Sequence, residues 1–79
     1  MKEITNIHLA KTPLSVEVEA KHILEEYLAS IQQRMHAEPE AMREIEARMV
    51  ELLAERGVTR GGVVTAEDVA ALRRQMGEP

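Results

Sequence analysis

Hydrophobic positions along this 79-residue chain recur first in twos and then in threes and fours. The first stretch runs from Ile4 to Val18. Leu14, Val16 and Val18 alternate with Ser15 and Glu17, and Ile7 and Leu9 flank His8. Alternation in twos turns one face of an extended strand to a core and the other to water. Ala10-Lys11-Thr12-Pro13 interrupts the run, and proline, lacking an amide donor, suits a turn or a strand edge. The pattern predicts a β-hairpin over residues 4–18 with its turn near Lys11 to Pro13. Alternation is weakest around Asn6. A hairpin is marginal in water by itself and must pack on something larger.

Three helical patterns follow. Ala20, Ile23, Leu24, Tyr27, Leu28, Ile31 and Met35 lie on one helical face over residues 20–35. After His36-Ala37-Glu38 comes Pro39, which is tolerated in the first turn of a helix. A second helix is expected over 39–56, with Met42, Ile45, Met49, Leu52 and Leu53 as its stripe and Glu44 set to pair with Arg48. Gly57 provides a left-handed stop, over which Val58 can fold back. Thr59 to Val64 reads as a loop, and Val63-Val64 can add a short strand to the hairpin. The third helix, over 66–76, has the clearest start. Thr65 is a favoured N-cap, Asp68 stands three residues on as in a capping box, and Val64 and Val69 are placed as a hydrophobic staple. Val69, Leu72 and Met76 face inward, Arg73 and Arg74 sit at the negative end of the helix dipole, and Gly77 and Pro79 close the element. The predicted class is α+β and mostly helical: an N-terminal β-hairpin packed on a three-helix cluster, forming one small domain over residues 1–79.

Composition narrows this picture. With no cysteine, neither disulfides nor thiolate metal sites can brace the fold. The chain is 44% hydrophobic, but Tyr27 is its single aromatic residue, and five methionines stand among Leu, Ile, Val and Ala. Methionine packs adaptably and suits both irregular cores and surfaces that meet a partner. The net charge of −4 argues against nucleic-acid binding, whose affinity comes largely from neutralising phosphates. No apolar run approaches the roughly 20 residues that span a bilayer.

Candidate chemistry is sparse. His8, His22 and His36 are fourteen residues apart; His22 and Glu26 have i,i+4 spacing, but a lone pair on a wet helix face is ordinarily solvated. Ser15 and Ser30 lie in no nucleophile context. The carboxylates Glu25, Glu26, Glu44 and Glu46 belong to charge-dense helices rather than to a pocket that would perturb them. Arg60-Gly61-Gly62 lacks the lysine and context of a phosphate-binding loop. No catalytic, cofactor-binding or metal-ligating residue is assigned, and no cofactor is expected.

A family pattern is visible in Ile4-Thr5-Asn6-Ile7-His8-Leu9-Ala10, Leu24-Glu25-Glu26-Tyr27-Leu28, the run Glu44 to Leu53, Val63 to Val69 and the closing Met76-Gly77-Glu78-Pro79. Over nearly its whole length the chain resembles the domain that precedes the membrane segment in some bacterial phage shock protein C (PspC-domain) proteins. It is also similar to the helical HAAS-type domains of bacterial membrane-associated regulators, which share the Met/Leu-Gly-x-Pro ending. The resemblance implies a cytoplasmic regulatory module, at the inner face of the bacterial inner membrane when part of a longer stress-response protein, with membrane contact only through a segment absent from this chain.

The expected function is therefore a non-enzymatic protein-interaction module. Its partner would be another protein or a second copy, as a homodimer, bound through an apolar groove or the hairpin edge. Leu14, Val16, Val18, Met42 and Met49 are the candidate contact residues. The alternatives are a fragment of a DNA-associated transcription regulator and a purely structural homodimerisation domain.

Overall fold

The structure, a computed structural model, describes residues 2–58 and 61–77. The order is β1 (Ile4–Leu9), β2 (Thr12–Glu17), α1 (Val18–Met35), α2 (Pro39–Glu55), β3 (Val63–Val64) and α3 (Ala66–Met76). The fold is α+β and mostly helical, with the hairpin packed on the three helices as the alternation and the helical stripes predict. Thr59 and Arg60 of the expected loop, and Pro79 of the expected helix stop, lie outside the described residues.

The sheet order is β1-β2-β3, with β1 antiparallel to β2 and β3 parallel to it. Ile7 faces Leu14 and Thr5 faces Val16 across the hairpin, while Val64 stands beside Val16 on the other side. Leu9, Leu14, Val16 and Val64 are buried against the helices. Ile4, Asn6, His8 and Pro13 are exposed on the opposite face.

The hairpin turn falls earlier than expected, at Ala10-Lys11 instead of Lys11 to Pro13. Proline explains the shift. A two-residue turn at Lys11-Thr12 would need the amide of residue 13 to close it, and Pro13 has none. With the turn at Ala10-Lys11, Thr12 closes the hairpin opposite Leu9, and Pro13 falls at the next pair, opposite His8. Hydrogen-bonded and non-hydrogen-bonded pairs alternate in an antiparallel ladder, so Pro13 occupies a position that owes β1 no donor. β3 reaches only Ser15 and Val16, so it does not ask for that donor either.

The first helix starts two residues before the apolar stripe suggests, directly at the end of β2. Val18 donates its amide to the Glu3 carbonyl at 3.0 Å, which makes it the last rung of the hairpin as well as the first residue of α1. Ala20, Leu24, Tyr27 and Ile31 are buried, but Met35, expected on the same stripe, is 62% exposed at the helix end. His36 caps α1 in the left-handed conformation.

The end of α2 is a Schellman motif. Gly57 has φ +78°, its amide bonds the Ala54 carbonyl, and the Val58 amide reaches back to Leu53. Val58 packs against the core, as an apolar residue in that position does. Gly62 then passes so close to the Val58 backbone that a Cβ would approach it to 3.1 Å. On α2, Met49, Leu52 and Leu53 are buried and Met42 and Ile45 half-buried. Arg48 pairs with Glu51 at 3.0 Å instead of the expected Glu44.

α3 begins with the complete capping box. The Asp68 amide donates to the Thr65 hydroxyl at 3.2 Å, and the Thr65 amide donates to the Asp68 carboxylate at 2.9 Å. Val64 and Val69 are fully buried on either side of the cap. Arg56, the C-cap of α2, donates its Nε to the other Asp68 oxygen at 2.8 Å. One carboxylate thus joins the end of α2 to the start of α3. At the far end of α3, the Tyr27 hydroxyl donates to the Gly77 carbonyl, and the Arg73 guanidinium lies 5.4 Å from the Tyr27 ring centre. Together these fasten both ends of α3, which packs against both α1 and α2.

Burial alone would raise the Asp68 pKa. The Thr65 amide, the Arg56 guanidinium and the Thr65 hydroxyl together outweigh burial and hold it below the ordinary carboxylate value. A carboxylate depressed in the folded state adds stability above its unfolded pKa and loses it as pH falls through the folded one. Asp68→Asn is therefore expected to lower stability at pH 7 by about 1–3 kcal/mol. The loss should shrink as pH falls below about 4, where the unfolded wild-type carboxyl is protonated. Urea unfolding of both proteins between neutral and acid pH checks this; an equal loss at every pH would sink the assignment.

Candidate interaction surfaces

The five residues expected from the sequence to form a contact surface do not lie together on one. Leu14 and Val16 project from β2 into the core at 3% and 0% exposure, and Met49 on α2 is fully buried. Strand alternation and the helical stripe mark residues that leave water; they do not say whether the covering surface belongs to the same chain. Here it does. Val18 is half-buried at the junction of β2 and α1. Met42 lines an open groove.

That groove, of 540 Å³, lies between α1, α2 and the hairpin turn. Leu28 and Met42 supply apolar surface, and Lys11, Glu25, Arg43 and Glu46 bring charge. Glu46 also holds the turn, because its carboxylate accepts the Ala10 amide at 2.8 Å. Ala10 and Lys11 both have positive φ, at 48° and 65°. Two-residue hairpin turns with that geometry favour Asn and Gly, since a Cβ crowds the backbone in the left-handed region. The Glu46 bond thus anchors a turn whose own residues resist it.

The second surface is the outer edge of β1, which borders no strand among the described residues. Glu3 accepts the Val18 amide, so Glu3 bonds inward, to the β2 side. By alternation Thr5, Ile7 and Leu9 do the same, and the backbone amides and carbonyls of Ile4, Asn6 and His8 point outward. These three residues are exposed. Edge strands are commonly protected by lysine, proline, a bulge or shortness. α2 packs against β1 on the side of Ile7 and Leu9, but β1 itself contains neither lysine nor proline, its six-residue pairing with β2 has no bulge, and Ile4 on it is 51% exposed. The cleaner alternation of Leu14, Val16 and Val18 points to β2, whereas the hairpin strand at the sheet edge is β1. The available signal was an uncharged run, Ile4 to Leu9, between Glu3 and Lys11.

The histidines remain apart: His8 on β1, His22 on α1 and His36 at the end of α1. Among the described residues no group of three or more side chains could hold a metal ion. No helix there is long and apolar enough to cross a membrane. No protein-family model, curated protein or solved structure matches this chain.

Replacing Ala10-Lys11 by Asn-Gly should relieve the left-handed crowding at both positions. The expected gain is about 1 kcal/mol, seen as a rise of several degrees in the thermal midpoint. An unchanged or lower midpoint would show that the Glu46 anchor already offsets the crowding.

Proposed function

We propose that this chain is a non-enzymatic protein-interaction module that binds by accepting a strand at the edge of β1. The observation that carries the reading is the combination of outward-facing backbone at Ile4, Asn6 and His8 with a strand that has no lysine, proline or bulge. Main-chain bonding gives such an edge affinity for extended segments, and the alternating side chains flanking it give selectivity. The resemblance to the phage shock protein C domain supports the finer reading: a cytoplasmic regulatory part of a membrane-stress protein, held at the inner face of the bacterial inner membrane by a segment outside these residues.

The decisive variant is Asn6→Pro. Proline there removes one outward-facing donor and leaves the β1–β2 ladder its own bonds. The domain, immobilised at low density, is panned against a random peptide library. Enrichment of extended, β-branched peptides that fail to bind the Asn6→Pro domain is expected. Peptides that bind both proteins equally, or no enrichment at all, would overturn the strand-acceptor reading.

A further inference from the structure

We propose that the strand accepted by β1 is β1 of a second copy, paired antiparallel about a two-fold axis at Asn6. This rests on the strand-acceptor reading and adds the partner and the register. A two-fold axis perpendicular to the sheet preserves the face of every side chain, so a residue on the axis must meet its own twin. The outward-bonding residues are Ile4, Asn6 and His8. Placing Asn6 opposite the partner's Asn6 sets Ile4 opposite the partner's His8, and His8 opposite the partner's Ile4. All three outward-bonding residues of each copy are then paired, and the two three-stranded sheets become one six-stranded sheet.

Charge at the two ends favours this arrangement. The same register sets Glu3 opposite the partner's Leu9, next to the partner's hairpin turn and its long Lys11 side chain, while Lys2, opposite the partner's Ala10, is engaged by Glu17 and Glu19 of its own copy. Glu3 and Lys11 are both exposed and enter no ion pair among the described residues. The two-fold axis creates this opposite-charge contact twice. Between the two contacts the strand carries no acid, lysine or arginine that would repel its twin. A parallel partner would bring Glu3 beside Glu3 and Lys11 beside Lys11, which disfavours it. Ile4, one of two large hydrophobic residues exposed among the described residues, also loses water contact on pairing. Two six-residue edges form a small interface, so the dimer is expected to be weak and reversible.

Sedimentation from about 10 μM to about 1 mM, a range suited to interfaces at the small end of the scale, tests the proposal. The mass should rise from monomer towards dimer, and Asn6→Pro should abolish the rise while its circular dichroism stays native. Glu3→Lys and Lys11→Glu should each weaken association about fivefold, and the double exchange should restore it. The two single changes move net charge in opposite directions, so a general charge effect would shift them oppositely. A monomer at all concentrations, a dimer indifferent to Asn6→Pro, or a double variant no better than the singles would each overturn self-pairing. If the chain is monomeric while Asn6→Pro still blocks peptide capture, self-pairing alone falls; if peptide capture fails as well, the strand-acceptor reading falls with it.

Discussion

One carboxylate ties the end of α2 to the start of α3. Asp68 closes the capping box of α3 with Thr65 and receives the Arg56 guanidinium from the end of α2. Between those partners the chain must leave a helix, add a strand and start another helix. Fixing Thr65 and Arg56 to one side chain sets the direction in which α3 departs. That direction seats Val64 beside Val16 and Val69 in the core, and lets α3 cover both α1 and α2. Burying a charged group is unfavourable unless its oxygens are satisfied, and here both oxygens have donors.

The core built around this node leaves a division of labour on the sheet. The face that meets the helices is apolar and closed. The other face is exposed and the β1 edge borders no strand among the described residues, so the contact chemistry there is main-chain bonding along one strand, with charged residues near each end. A strand added to that edge would touch the hydrophobic core little, so association would not require the domain to reorganise. Binding of this kind is modest per site and gains strength when a longer protein holds several copies together.

Local signals in the sequence had local consequences, and those are where sequence reading succeeded. Thr65 with Asp68, Gly57 followed by Val58, and Pro39 at a helix start each act within one turn of the chain, and each appears as the pattern predicts. The staple of Val64 and Val69 is equally local. The Arg56 bond to Asp68 was not legible, because it links residues twelve apart through a loop whose course the sequence does not specify. The same applies to Glu46 and Ala10, thirty-six residues apart.

The sequence by itself determined most of the residues that leave water, where α2 starts and stops, where α3 starts, and that the first segment forms a hairpin. It also contained the reason for the turn position, since Pro13 cannot close a turn at Lys11-Thr12. Tertiary structure decided what covers each apolar face. By pattern Leu14, Val16 and Met49 suit a core first and a contact surface second, and the helices and β3 close over them. Periodicity reports the side of an element that avoids water, whereas the identity of its cover depends on how distant elements meet. The edge of β1 was decided in the same way: which side of a hairpin receives the third strand follows from the path through α1 and α2, and that path leaves β1 open.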